Sequence, residues 1–318
     1  MSRGDRSAAD TKGPVFVLGI TRRCGTNYLF HLLERHPHLQ PAKYLTEDFA
    51  LHDAQLLFEY VDRTYGQWNP RWGFDTDTRA CLVRSLGHGI LSFLASDGNA
   101  PVPDQGKRLL LKTPSVRNLA HFFELFPTAY LLIMVRDGRD VVESRVRSFH
   151  CTYEVATRDW CGAAREILAF DRVQRGLASR YRIIRYENLV DDPVTSLREI
   201  IDFLELDPEI FDFEAAKHLP VYGSSTFRGD RAEVHWQPVA KTDEFNPFGR
   251  WKTWGMYRRQ RFAWAAAESM AALGYPLEAD DRWRAIRLAC RRIAGGSPAA
   301  PESAGRWQFR LSKPRSDR

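Results

Sequence analysis

This sequence predicts an α/β fold, a central parallel β-sheet flanked by helices in a single domain, and three observations carry that reading. Short apolar runs without helical alternation (15–20, 109–111, 130–135 and 181–185) are separated by segments with helical spacing, so strands alternate with helices. The runs are rich in Val, Ile and Leu, as expected of strands buried on both faces, which is the habit of parallel sheets. The first run passes directly into a loop with glycine and hydroxyl residues and then into a helix, a P-loop-like nucleotide-binding arrangement. At 318 residues the length admits one large α/β domain or two smaller ones.

The elements follow in chain order. Residues 1–13 are polar and read as a frayed leader. Pro14 to Ile20 is the first strand, and Thr26 to Glu34 a helix with Tyr28, Leu29, Leu32 and Leu33 on one face, ended by His36-Pro37. Leu109 to Leu111 and Tyr130 to Val135 are strands. Between them Leu119, Phe122, Phe123 and Phe126 form a helical face that stops at Pro127. Helices are expected from about Asp140 to Phe149 and from about Val155 to Leu177, then a strand from Tyr181 to Arg185. Pro193 to Leu206 is a helix with proline in its first turn. Residues 218–255 lack periodicity and carry Gly, Ser, Pro and aromatics. So long a loop in a compact domain reads as a lid or cofactor clamp. The domain is expected over 14–290, with a disordered basic tail over 291–318.

Lys plus Arg number 46 against 40 Asp plus Glu, a formal charge of +6, which favours anionic ligands without indicating nucleic acid. Five cysteines without a CxxC pair argue against a disulfide scaffold or a cysteine zinc site, and the histidines show no HExxH spacing, so no metal is expected. No apolar run reaches the ~18 residues that cross a bilayer, and the first residues lack the apolar core of a signal peptide. The expectation is a soluble, cytoplasmic protein with no membrane or nucleic-acid partner. A homodimer is compatible with it.

Two stretches carry chemistry. In Val15-Phe-Val-Leu-Gly-Ile-Thr-Arg-Arg-Cys-Gly-Thr-Asn27 a strand, a loop and a helix start aim backbone N–H groups and a positive helix end at one point. It departs from GxxxxGK[ST]: Thr26-Asn27 replaces the Lys-Ser/Thr pair, and Arg22 and Arg23 supply charge from the loop. An ordinary strand–turn–helix corner would look the same. In Tyr130-Leu-Leu-Ile-Met-Val-Arg136-Asp-Gly-Arg139-Asp-Val-Val-Glu-Ser144, Arg136 stands at a strand's carboxyl end and Ser144 one turn into the next helix. The two can converge on a second anion, at the sheet edge where α/β folds bind ligands. The plain alternative is a surface Arg–Asp pair, worth little.

The ordered set TRRCGTN, KTP (Lys112 to Pro114), FPTAYLLIMVRDGRDVVES, RYENLVDDP and GSST resembles the sulfotransferases that use 3′-phosphoadenosine 5′-phosphosulfate (PAPS). It is most similar to the branch with the tyrosylprotein sulfotransferases and many soluble small-molecule enzymes, over roughly residues 14–255. The resemblance implies sulfuryl transfer from PAPS to a small-molecule, glycan or peptide hydroxyl, or an amine, with 3′,5′-adenosine bisphosphate as product and no metal. It implies that Arg22, Arg23, Gly25, Thr26 and Asn27 hold the 5′ side, with Cys24 contributing its backbone N–H only and Asn27 donating to a phosphate oxygen. Arg136 and Ser144 would hold the 3′-phosphate. Tyr186 would line the nucleotide, Ser225 lie near the phosphosulfate and Arg250 close over the cofactor. Where the family has Ser-Gly-Thr-Thr, this chain has Cys24-Gly25-Thr26-Asn27.

The family's histidine base is missing, because Lys112-Thr113-Pro114 stands where Lys-Thr-His would be. In the tyrosylprotein branch a glutamate after the first helix's His-Pro is the base. The residues that match are His36-Pro37 and then Glu47, with Asp48 as fallback and His52 as a weaker candidate. Thr46 to Phe49 would equally serve as a helix start. Lys112 is placed at the transferring group beside Arg23, though a solvated strand end would also accommodate it. His121 is expected to pack. Two other readings stay open: a nucleotide-binding protein that does not catalyse, and a kinase-like phosphotransferase.

Overall fold

The structure is a computed structural model and describes residues 12–43, 45–73, 75–96, 106–220, 224–228, 231–235 and 247–275. Five strands, β1 (Val15–Gly19), β2 (Leu39–Pro41), β3 (Arg108–Thr113), β4 (Tyr130–Val135) and β5 (Tyr181–Arg185), form one sheet in the order β2-β3-β1-β4-β5. Every neighbouring pair is parallel. All five residues of β1 and all six of β4 are buried, which requires cover on both faces and explains their unbroken apolar sequence.

Helix α1 (Thr26–Leu33) follows β1, and α2 (Gln55–Gln67) and α3 (Thr76–Ala95) connect β2 to β3. The short α4 (Phe122–Leu125) precedes β4, and α5 (Gly138–Phe149) and α6 (Tyr153–Val173) connect β4 to β5. Beyond the sheet lie α7 (Tyr186–Asp191), α8 (Pro193–Phe203) and α9 (Phe213–Lys217). An antiparallel pair, β6 (Ser224–Arg228) and β7 (Arg231–His235), and then α10 (Met256–Ala272) complete the order. Among the described residues no helix is long and apolar enough to cross a membrane.

The chain moves to one side of β1 for β2 and β3 and to the other for β4 and β5, so the switch of direction lies at β1. Ligands of open α/β sheets bind outside the strands' carboxyl ends at such a point. The register brings those ends level: Leu18 pairs with Thr113, Gly19 with Met134 and Val135 with Arg185.

Several elements differ from the sequence-based expectation. Helices α2, α3 and α10 and strand β2 were not anticipated, and the 218–255 stretch contains the β6–β7 pair. Residues 221–223, 229–230 and 236–246 of that stretch, 1–11 of the leader and the whole 291–318 tail lie outside the described residues. Within the expected leader, Lys12 pairs with Glu205 at 3.1 Å, and the Gly13 carbonyl accepts from Arg108 at 2.8 Å. Helix α8 matches its signals: Pro193 occupies the first turn and Asp192 caps it by accepting from the Thr195 N–H at 3.1 Å.

Helix α5 starts at Gly138, two residues earlier than expected, with Asp137 as its cap, and a side chain at Gly138 has no room. A Cβ at Gly138 would lie 2.6 Å from the Trp160 ring and 2.8 Å from Phe262. Gly138→Ala should therefore overpack the α5–α6–α10 junction and cost about 1–3 kcal/mol, read as a lower urea midpoint. Gly162→Ala on α6, where nothing lies within 4 Å of the added carbon, should instead gain about 0.5–1 kcal/mol from helix propensity.

Candidate active site

The loop between β1 and α1 turns through two left-handed residues, Arg23 (φ 76°) and Gly25 (φ 101°). Gly25 is required on two counts, since a Cβ would also fall 2.2 Å from the Tyr186 ring. Gly25 brings no side chain to the amino end of α1, so no capping side chain answers the helix there. Helix α5 is the contrast: Asp137 occupies its amino end, accepting from the Arg139 N–H at 2.8 Å and pairing with the Arg139 guanidinium at 2.7 Å. The helix dipole is therefore available at α1 and already answered at α5.

The Arg–Asp pair of the RDGRD run is thus Arg139 with Asp137, and Arg136 is left over. Arg136 is 5% exposed. Its Nη1 donates to the Arg23 carbonyl at 2.9 Å, its Nη2 donates to the Pro247 carbonyl, and its guanidinium lies 4.6 Å from the Tyr186 ring centroid. Among the described residues it forms no ion pair, and its Nε is buried with no hydrogen-bond partner. Arg23 donates from Nε to Ser144 Oγ at 3.1 Å. Burial, and then the nearby Arg136, push the Arg23 guanidinium down to about 10. Arg250 is pushed down to about 10 in the same way, by burial and then by Arg136 and Arg23. The charge of Arg136 thus weakens the hold of Arg23 and of Arg250 on their protons, and an anion placed among the three guanidinium groups would relieve that repulsion. Tyr186, whose phenol burial pushes up, forms the floor.

Two acids one turn apart on α5 hold the clamp that carries Arg250. Asp140 accepts from the N–H groups of Gly249 (3.0 Å) and Arg250 (2.7 Å), and Glu143 accepts from Trp254 Nε1 at 2.6 Å. Sequence reading assigned these acids no role. The available signal was an i, i+3 acidic pair just before Ser144 on the helix that follows Arg136. Ser225 lies on β6 opposite Val234.

On the other side of the first turn of α1 lies a second cluster. Lys112, at the carboxyl end of β3, has a side chain only 1% exposed. Its Nζ donates to Asn27 Oδ1, stands 3.6 Å from Glu47 Oε1 and lies over the Phe30 ring at 5.6 Å. Burial pushes its ammonium down, and Glu47 opposes that push. The oxygen of Asn27 thus serves the lysine, which leaves its NH2 for the donation to a phosphate oxygen expected from the sequence.

The segment bearing Glu47 is an extended stretch, not a helix start, and it is pinned to β3. The Asp48 N–H donates to the Lys112 carbonyl at 3.2 Å and the Phe49 N–H to Thr113 Oγ1 at 3.0 Å. Asp48 is turned back on itself, accepting from the Ala50 N–H at 2.9 Å, and burial pushes its carboxyl up. Glu47, with its side chain 29% exposed, faces the opening instead. Phe49 adopts φ 49°, strain in a bulky residue beside reactive groups.

The remaining candidates separate cleanly. Cys24 is fully buried and its thiol is pushed up to about 11 by burial, so it is neutral and packs beneath Gly19. Thr26 is buried in the first turn of α1. Arg22 is exposed and stands away from the arginine cluster, near enough to His52 to depress its imidazole after burial and Arg117. His52 contacts Ser115 Oγ at 3.3 Å. His121 stacks on Phe58 at 3.9 Å and pairs with Glu124 at 3.1 Å, which is a packing role.

Among solved structures the chain is similar to a sulfotransferase from Alicyclobacillus acidocaldarius, at 14% identity and TM-score 0.45, covering 85% of this chain and 98% of that one. It is also similar to a mouse sulfotransferase complexed with PAP, at 13% identity and TM-score 0.44, covering 88% of this chain and 89% of that one. Among curated proteins it is similar to protein-tyrosine sulfotransferase A of Caenorhabditis elegans, 25% identical over 201 residues, or 61% of this chain and 50% of that protein. The chain thus spans about half the length of the curated relative it matches. Residues 14–210, more than half of the chain and all five strands of the parallel sheet, match the model of the sulfotransferase family, and to that family this protein belongs.

Proposed function

We propose that this protein transfers a sulfuryl group from PAPS to a hydroxyl or amine acceptor by in-line displacement. The observation that carries this reading is the pairing of two unlike sites across one helix turn: a cluster of three arginines, and a buried lysine beside a partly open glutamate. PAPS fits the first site on this chain's own features: the orphaned Nε of Arg136 and a loop too tight at Gly25 for any side chain. When bound, PAPS supplies an activated sulfuryl group on a phosphate leaving group.

The chain's residues then divide the work. The amino end of α1, with the NH2 of Asn27, binds the 5′ side, while Arg136, Arg250 and Ser144 bind the 3′-phosphate. Arg23, which stands in the loop of the 5′ side, reaches the 3′ side, since its backbone carbonyl meets Arg136 and its Nε meets Ser144. Lys112 meets the charge that spreads over the sulfuryl oxygens. Glu47 takes the acceptor's proton as the new O–S or N–S bond forms. The acceptor is of the small-molecule, glycan or peptide class.

Calorimetry tests the nucleotide half. The protein should bind 3′,5′-adenosine bisphosphate equally well with and without EDTA; affinity that vanishes with chelator would overturn it. Arg136→Ala should lose about 1.5–3 kcal/mol toward the bisphosphate, the span of a charged hydrogen bond, and far less toward 5′-AMP. Equal losses for both would remove Arg136 from the 3′ site. Labelled PAPS with a panel of phenols, alcohols, sugars and peptides tests the transfer itself.

A further inference from the structure

Lys112 is buried beside two partners of different kinds. Its Nζ donates to Asn27 Oδ1 and stands 3.6 Å from Glu47 Oε1. With the side chain 1% exposed, bulk water cannot replace either one. An ammonium carries donors only, so the amide oxygen of Asn27, and not its NH2, must face it. The charged groups that act on Lys112 are Glu47 and Asp48 from the segment after β2 and Glu34 from the end of α1.

Glu47 cannot serve as a constant partner if it is the base. Once it has taken the acceptor's proton it is neutral, and its pull on the ammonium is lost at the moment the transferring group needs a cation. Asn27 does not titrate. Its position in the first turn of α1, whose loop is fixed by Gly25 against Tyr186, makes it a rigid acceptor at hydrogen-bond reach.

We propose that Asn27 is a positioning residue for Lys112: its amide oxygen keeps the ammonium protonated and aimed at the transferring group throughout turnover. This deepens the sulfuryl-transfer reading and rests on it for the role in turnover, but not for the coupling of Asn27 to the lysine. Burial already works against the charged form of Lys112, so removing a neutral acceptor that never leaves should be felt directly in its titration.

The test uses the full-length protein without nucleotide, labelled with 13C at the lysine Cε carbons and read by NMR, with Lys112→Arg to assign the signal. In Asn27→Leu, Lys112 should titrate about one pH unit lower than in the wild type, the order expected for losing a hydrogen bond to a buried charge. Asn27→Asp keeps an acceptor at the same reach and should titrate higher. In turnover, Asn27→Leu should lose roughly tenfold or more in kcat beyond whatever affinity for 3′,5′-adenosine bisphosphate it loses with the NH2 donor, and Asn27→Asp should restore part of the rate. If Lys112 titrates alike in all three proteins, the proposal is wrong. It is equally wrong if Asn27→Leu loses bisphosphate affinity in proportion to kcat, because Asn27 is then a phosphate ligand first. If the wild type transfers no sulfuryl group to any acceptor while the lysine titration shifts as described, the coupling stands and the sulfuryl-transfer reading is what fails. Should Asn27→Leu fail to fold, Asn27→Thr, whose hydroxyl is one bond shorter than the amide oxygen, takes its place with the same expected shift.

Discussion

Glu47→Gln is expected to abolish most turnover while leaving nucleotide binding intact. The substitution keeps shape and polarity and removes only the basic lone pair. Rates should fall by about 10²–10⁴-fold, the span for losing a general base, with bisphosphate affinity nearly unchanged. The surroundings favour Glu47 over its neighbour: Glu47 faces the opening, whereas Asp48 is turned inward and bonded to its own loop. If Glu47→Gln keeps near-normal rates while Asp48→Asn or His52→Ala loses them, the base lies elsewhere on this segment and the two phosphate sites stand. A nucleotide-binding protein without catalysis would show no rate to lose in any variant.

Lys112→Met is expected to produce the second large loss, about 10²–10³-fold in kcat, the scale for removing one charge-stabilising donor from a water-poor site. Combined with Glu47→Gln the defects should be less than additive, since both groups act on one transition state. The pH dependence has a definite sign. Burial holds the Lys112 ammonium below the range of a free lysine, so the wild-type rate should fall on an alkaline limb as the cation is lost, and that limb should be absent in Lys112→Met. Stability runs the other way. Between the lowered native value and the ordinary one, the unfolded chain binds more protons than the native state, so stability rises with pH there, and at neutral pH the buried charge is a cost. Lys112→Met should therefore melt no lower than the wild type at pH 7. A fall of more than a few degrees would show that the lysine props the fold as well as the reaction.

Part of this protein can be read directly from its residues. Strands β1 and β4 are unbroken apolar runs because both faces are covered, and such runs have few other uses in a chain of this charge. Helix α8 announces itself with Asp192 and Pro193. The strand–loop–helix at 15–27 and the Arg136–Ser144 spacing are local, so their chemistry survives in one dimension. Helices α2 and α3 were not legible, because Leu56, Tyr60 and Phe93 lie exposed and blur the apolar stripe that would mark a helix. Strand β2 is three residues long and exists only because β3 is there to receive it.

What the amino-acid sequence determined by itself was therefore the parallel sheet, the phosphate-binding corner and the residue types at the site. Three things were decided only in three dimensions. Arg139 takes Asp137 and leaves Arg136 unpaired by any described acid, a choice between two arginines of one motif that are both buried. The acids Asp140 and Glu143 grip a clamp more than a hundred residues away. And Asn27, Glu47 and Lys112 meet from α1, an extended segment and β3, because the crossover past β1 lays their strand ends side by side. Spacing along a chain specifies contacts within a turn or a strand; contacts between elements are set by which faces must be buried, and that is settled only when the whole sheet is packed.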